Sequence, residues 1–360
     1  MIGHDPRQTQ SAPGAGRRLA GDQMTEPVLS VRELTVDYGR STPVRAVRQV
    51  SFDLARGEVL GIAGESGCGK STLAYAITRL LRPPARLTGG SITFTGPGED
   101  PVDVLALEGD ALRAFRWRRI AMVFQSAMNS LNPVLTVRKQ LADVFATHEP
   151  DLPRKAVDER CEELLDLVGI DRARLSAYPH ELSGGMRQRV TIAMALALRP
   201  DVIVMDEPTT ALDVVVQRDI LDEIDRLREL FGFAVVFITH DLSLLLEISD
   251  RLAVMYAGRF VETGTSREIL ENPHHPYTQG LLRSFPSLRG DREALRGIPG
   301  TPPDLARLTG GCPFAPRCPH AFEPCSTEPE LVAVRGQGVS EPPHTGTLAA
   351  CHLAETRVTS

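Results

Sequence analysis

The sequence predicts an α/β fold in which a parallel sheet carries a phosphate-binding loop, and two observations predict it. The first is Gly64-Glu65-Ser66-Gly67-Cys68-Gly69-Lys70-Ser71, which fills every fixed position of the pattern G-x-x-x-x-G-K-S/T. It follows the apolar run Val59-Leu60-Gly61-Ile62-Ala63 and opens a helical run from Ser71 to Leu81 that stops at Pro83-Pro84. Strand, loop and helix in that order are the setting the motif needs. The second is Val202-Ile203-Val204-Met205-Asp206-Glu207, a continuous apolar run closed by two acids. Such a run marks a buried parallel strand that delivers carboxylates at its C-terminal edge.

From the N-terminus, Met1 to Gln23 is rich in Gly, Pro, Gln and Arg and holds no apolar stretch. It reads as a disordered tail, or as an artefact of start-site choice since Met24 stands just before the first strand pattern, and not as a signal peptide. No apolar run in the 360 residues approaches the length of a transmembrane helix. A formal charge of −6, with both signs mixed along the chain, gives no basic footprint for nucleic acid.

The loop at Gly64 predicts a nucleoside triphosphate as ligand. Its glycines turn backbone N–H groups onto phosphate oxygens, and the helix N-terminus adds partial positive charge. Lys70, one of only three lysines with Lys139 and Lys155, reaches the terminal phosphates, and the Ser71 hydroxyl sits on Mg²⁺. Cys68 has no evident chemistry there. Further on, Val157, Cys161, Leu164, Leu165 and Val168 recur at helical spacing, which predicts an inserted helical region with Cys161 half-buried on its packed face.

Leu182-Ser183-Gly184-Gly185-Met186-Arg187-Gln188 then leads into an apolar helix that runs to Arg199. Ser183 is suited to cap it, and two glycines leave its first N–H groups bare. This repeats the anion-binding device without a lysine or a metal ligand. At the strand that follows, Asp206 is suited to hold Mg²⁺ through its water shell. Glu207 points to the opposite side of the strand and polarises a water for attack on the γ-phosphate.

Leu-Ser-Gly-Gly followed by Arg-Gln resembles the signature motif of ATP-binding cassette (ABC) ATPases, with Met186 in place of the commoner glutamine. The resemblance runs in order from about Val28 to Gly264. Tyr38 matches the aromatic that stacks on adenine, and Gln125, in Val123-Phe124-Gln125, the Q-loop glutamine. Asp206 matches the Walker B acid, Glu207 the catalytic glutamate, Ala211-Leu212-Asp213 the D-loop, and His240 the switch histidine. The resemblance implies catalytic roles for Glu207, His240 and Gln125. It implies nucleotide contacts for Tyr38, Gly64, Ser66, Gly67, Cys68, Gly69, Lys70, Ser71, Thr72 and Asp206, with Ser183, Gly184, Gly185, Gln188 and Asp213 acting across a dimer. Mg²⁺ would be held by Ser71, Gln125 and Asp206. In this family two cassettes pair head to tail, so each ATP lies between one P-loop and the other chain's signature.

Gln125-Ser126-Ala127-Met128-Asn129-Ser130-Leu131-Asn132-Pro133 resembles the importer branch that serves oligopeptides, dipeptides and nickel. So do Asn272-Pro273-His274-His275-Pro276-Tyr277-Thr278, a Pro-rich hinge in which a metal role for the histidines is not expected, and Gly300-Thr301-Pro302-Pro303.

The C-terminal end carries Cys312, Cys318, Cys325 and Cys351. Four thiolates suit an iron–sulfur cluster or structural zinc, and the spacing alone does not choose between them. His344 and His352 are candidates to replace one sulfur in a zinc site. The resemblance to cysteine-rich peptide-importer ATPases implies a 4Fe–4S cluster, with zinc as the alternative.

The fold expected is therefore an ABC cassette with a β-rich N-terminal subdomain, a helical insertion and a small Cys-rich extension. Its divisions are a tail over 1–24, the ATPase domain over 25–270 with its helical part about 126–200, and the extension over 271–360. The resemblance implies hydrolysis of Mg·ATP to import peptides, at the cytoplasmic face of the membrane as a peripheral subunit. The implied partners are a second, different ATPase chain, two permease subunits and, indirectly, an extracytoplasmic binding protein, with no nucleic acid. A nickel or other small-solute importer is the nearest alternative. A soluble ABC ATPase or an exporter is disfavoured by the single cassette, the acidic charge and the importer-like segments.

Overall fold

A computed structural model describes residues 26–125, 130–210, 212–284, 297–308, 310–334 and 346–356. The tail, residues 126–129 of the importer-like segment, Ala211 and His344 lie outside the described residues.

The chain opens with strands β1 (Leu29–Tyr38) and β2 (Val44–Leu54), which pair antiparallel. Next come β3 (Val59–Ala63), helix α1 (Lys70–Ile77), β4 (Ala85–Phe94) and β5 (Val102–Asp103). β4 lies on β1 and β5 on β4, giving a four-stranded antiparallel sheet in the order β2-β1-β4-β5 among the described residues. This is the β-rich N-terminal layer. Helix α2 (Gly109–Arg118) and β6 (Ile120–Val123) lead to α3 (Val137–His148), α4 (Arg154–Leu167) and α5 (Gly184–Leu196). The chain then alternates β7 (Val202–Asp206), α6 (Val214–Phe231), β8 (Ala234–Ile238), α7 (Leu242–Ile248) and β9 (Arg251–Tyr256).

Strands β9-β3-β8-β7-β6 are parallel neighbours in a second sheet. β3, β7 and β8 are buried at every residue, as expected of parallel strands covered on both faces. Their alternation divides two cores. Val59, Ile203, Met205, Val235 and Phe237 face the helical layer with Leu141, Phe145, Cys161 and Leu165. Leu60, Ile62, Val204, Val236 and Ile238 face the antiparallel sheet with Leu34, Val36 and Phe94. Burial of Cys161 is complete and pushes its thiol up to about 11, so this residue is core and not half-exposed.

β10 (Arg259–Thr265) returns antiparallel on β9, followed by α8 (Ser266–Glu271) and α9 (Pro276–Arg283). Two short C-terminal strands, β11 (Val332–Ala333) and β12 (Leu348–Ala349), extend that edge through Glu262–Ala349 and Thr263–Leu348 pairing. The extension is thus hydrogen-bonded into the main sheet. The segment expected to be a hinge is also packed. His275 is buried, its Nδ1 accepts from Tyr277 N at 3.0 Å to cap α9, and burial pushes its pKa down to about 3. The buried Glu262 carboxylate accepts from His274 N and His275 N at 2.6 and 3.0 Å.

Two helices end earlier than their apolar patterns. α1 stops at Ile77 and not Leu81, because Arg79 turns to φ 58 and its guanidinium donates to Val104 O and Leu105 O at 2.6 and 2.7 Å. α5 stops at Leu196 and not Arg199, where φ is 50.

Candidate functional site

The P-loop leaves the C-terminal edge of β3 and crosses to α1 in close contact with two neighbouring strands. A Cβ on Gly64 would meet Met255 O at 2.3 Å, and one on Gly69 would meet Ala46 O at 2.3 Å. Both glycines also hold positive φ, so any side chain there would push the loop off its seat. Ser66 and Gly67 are exposed at its crest, while Cys68 turns its thiol inward and burial raises its pKa. Lys70 is 5% exposed, and its ammonium donates to Gly64 O and Glu65 O at 2.7 and 3.1 Å. Tyr38 ends β1 beside the loop, with its hydroxyl 3.2 Å from Thr72 Oγ1.

Ser71 Oγ donates to Asp206 Oδ1 at 3.0 Å, across from the P-loop to the end of β7. Asp206 is buried and its Oδ2 has no hydrogen-bond partner. Burial raises its pKa, and the neighbouring Glu207 charge adds to this, against the Ser71 hydrogen bond and Lys70. A buried carboxylate oxygen lacking a donor, beside a hydroxyl, is a hard-oxygen pair that fits Mg²⁺.

Glu207 does not follow the strand alternation expected of it. β7 ends at Asp206, and Glu207 takes φ 46, a left-handed conformation that costs a non-glycine residue about 1–3 kcal/mol and concentrates at functional sites. The turn brings its carboxylate into a polar cluster. Gln125 Nε2 and Thr210 Oγ1 each donate to Oε2 at 2.9 Å, and His240 Nδ1 lies 3.3 Å from Oε1. The three residues expected to act together in catalysis do meet, although Gln125 and His240 come from the ends of β6 and β8. Thr210 was not singled out in the sequence, where a hydroxyl three residues past Glu207 carries no signal of its own.

Ser183, Gly184, Gly185 and Asp213 form a second edge. Ser183 Oγ accepts from Met186 N at 3.2 Å to cap α5, and Asp213 Oδ1 accepts from Val216 N at 2.9 Å to cap α6. A Cβ on Gly185 would meet Val216 Cγ1 at 2.6 Å, and one on Gly184 Leu212 Cδ2 at 3.3 Å. The two glycines therefore let the helix starts pack together as well as baring N–H groups. Gln188 departs from its expected nucleotide contact: it is 1% exposed on the inner side of α5, with Nε2 unpartnered.

Two family models match the chain, one described as ABC transporter over residues 47–210 and one as oligopeptide/dipeptide transporter, C-terminal region, over residues 261–325. The oligopeptide transport ATP-binding protein OppD of Escherichia coli (strain K12) is 46% identical over 314 residues, spanning 86% of this chain and 90% of that protein. The chain belongs to the ABC transporter ATPases. The dipeptide transport ATP-binding protein DppD of Haemophilus influenzae is 45% identical over 308 residues, spanning 84% of this ABC ATPase and 92% of that protein. Among solved structures, the dimeric post-hydrolysis state of the ATP-binding cassette MJ0796 bound to ADP and Pi is similar with a TM-score of 0.58 and 28% identity. It covers 66% of this chain and 99% of that one.

In this ABC ATPase the C-terminal cysteines come together. Cys312, Cys318, Cys325 and Cys351 are free, partly buried, and line one pocket with His275, His320 and His352. Burial raises the thiols of Cys312, Cys318 and Cys351. The expected metal centre is not preformed: among the described residues, no group of three or more His, Cys, Asp or Glu side chains has an arrangement that could hold a metal ion. Among the described residues, no helix is long and apolar enough to cross a membrane.

Proposed function

We propose that this chain hydrolyses Mg·ATP to drive import of peptides through a membrane permease. The observation that carries the reading is the Glu207 carboxylate, fixed by Gln125, Thr210 and His240 at one residue's distance from the Ser71–Asp206 pair. Asp206 and Ser71 would hold Mg²⁺, which when bound neutralises charge on the β- and γ-phosphates. Gln125 donates its Nε2 to Glu207, which leaves its Oε1 as the oxygen that would join Ser71 and Asp206 on Mg²⁺. Lys70 binds the terminal phosphates, Tyr38 stacks on adenine, and Glu207 accepts a proton from the attacking water while His240 keeps the carboxylate aimed. The ATPase domain would occupy 25–270 and the extension 271–360. The peptide cargo is supported by the C-terminal match over 261–325 and by the relatives' transport of oligopeptides and dipeptides. ATPase stimulation in the assembled transporter by peptide-loaded binding protein tests it; stimulation by nickel and not by peptides would overturn the cargo.

The signature edge of one chain would complete the P-loop of another. Val214 and Val215, 81% and 70% exposed beside Asp213, give that edge an apolar surface for a partner to cover. The partner is expected to be a related but different ATPase chain, on the cytoplasmic face of the membrane with two permease subunits. Reconstitution with this chain as the only ATPase should therefore give no ATP-coupled uptake, and full uptake from such a preparation would refute the heterodimer.

The four cysteines around one pocket support a second reading, a 4Fe–4S cluster taken up with local rearrangement, with zinc as the alternative. Anaerobically purified protein should then be brown with broad absorbance near ~400 nm, as thiolate-bound iron–sulfur centres are. Colourless protein with stoichiometric zinc moves the assignment to zinc, and metal-free protein with full transport ends it.

A further inference from the structure

The C-terminal extension touches the P-loop directly, through Glu65. Arg317 lies 252 positions away in sequence, yet its guanidinium forks onto the Glu65 carboxylate, Nη1 to Oε2 at 2.6 Å and Nη2 to Oε1 at 2.9 Å. Such two-point pairing fixes both groups in orientation as well as in charge. The Arg317 side chain is 6% exposed, and two further donors of it are used. Nε donates to Pro299 O at 2.8 Å, and Nη1 also reaches Tyr256 Oη at 3.3 Å. A second residue of the extension holds the Glu65 backbone: its N–H donates to Tyr277 Oη at 2.9 Å. The Glu65 carbonyl accepts from Lys70 Nζ at 3.1 Å. Every polar group of Glu65 is thus committed, with the N–H and the carboxylate both held by the extension.

The support is rigid. Phe314 packs on the rings of Tyr256 and Tyr277, with centroids 5.3 and 5.4 Å apart. The turn that presents Arg317 closes through Arg317 N to Phe314 O at 2.9 Å. Electrostatics gives the arrangement a purpose. Glu65 sits inside a loop whose task is to attract a polyanion, and a free carboxylate there would repel the triphosphate at short range and low dielectric. Paired to Arg317, it contributes no net charge.

We propose that Arg317 and Tyr277 are positioning residues of the ATP site, through which the C-terminal extension neutralises Glu65 and presets the P-loop for nucleotide. The proposal rests on the ATPase reading above. It makes the extension part of the nucleotide site without touching ATP itself, and it ties ATP affinity to the folding of a segment remote in sequence.

The test uses the assembled transporter, with ATP affinity from a fluorescent ATP analogue and KM and kcat from steady-state hydrolysis. Arg317→Ala should raise Kd and KM about tenfold with kcat within about twofold, as loss of one partner of a poorly solvated charge pair acts on binding. Arg317→Lys, which keeps the charge without the fork, should fall between the two. The deciding variant is Arg317→Ala combined with Glu65→Gln, because removing the uncompensated charge should return Kd to within about threefold of wild type. Unchanged affinity in Arg317→Ala overturns the proposal. So does a loss that Glu65→Gln fails to relieve, since an arginine that only staples the extension would not be rescued from the P-loop side. A wild-type complex that binds no nucleotide would instead sink the ATPase reading, and this inference with it.

Discussion

Glu207→Gln should leave a transporter that binds ATP normally and hydrolyses it about a thousandfold more slowly, the middle of the range for losing a positioned general base. The substitution is close to isosteric, and the local hydrogen bonds can survive it. An amide oxygen in place of Oε2 still accepts from Gln125 Nε2 and Thr210 Oγ1, and the amide nitrogen can donate toward His240 Nδ1. Asp206 and Ser71 are untouched, so the groups that would hold Mg²⁺ remain. What disappears is the basic oxygen. Parallel measurement of turnover and ATP affinity separates the two effects, and near-normal turnover in Glu207→Gln would remove Glu207 from the chemistry. The left-handed backbone at φ 46 adds a second expectation. Glu207→Gly should relieve local strain yet abolish turnover just as fully, so stability and activity would move in opposite directions.

How far the sequence reached is plain from particular residues. The apolar runs at Val59, Val202 and Ala234 became the parallel strands β3, β7 and β8 because continuous burial on both faces writes itself into composition. The phosphate loop and Ser183 were legible because backbone geometry restricts them to few residue types. Long-range pairing left no such trace. Nothing in the order of residues marks Ala349 as the strand partner of Glu262, or Arg317 among many arginines as the partner of Glu65. Gln188 shows the opposite error: a polar residue beside a motif was expected at the ligand, and tertiary packing put it inside. The orientation expected of Glu207 rested on pleat alternation, which ends where the strand does, and the left-handed turn there sets its direction instead. The four cysteines were legible as a group, and the structure does gather them, but ligand geometry is a matter of distances that spacing in sequence does not set.

Lys70→Ala should act one step earlier than Glu207→Gln, on nucleotide binding itself. The Lys70 ammonium is buried and donates to Gly64 O and Glu65 O, so it fastens the loop's first residues and stands ready for the terminal phosphates. Alanine removes both functions. Charge-assisted hydrogen bonds are worth about 1.5–3 kcal/mol each, so losing one or two at the phosphates should raise the ATP Kd by about a hundredfold. Arginine is no substitute, because a planar fork cannot occupy the narrow place of a compact ammonium packed against Cys68 Sγ at 3.8 Å. Lys70→Met keeps the length and apolar body of the stem without the charge, and so controls for packing. If both variants lose ATP to a similar extent while their thermal unfolding stays near wild type, the loss belongs to the ammonium. Unchanged ATP affinity in Lys70→Met would mean that the P-loop does not grip phosphate through this residue.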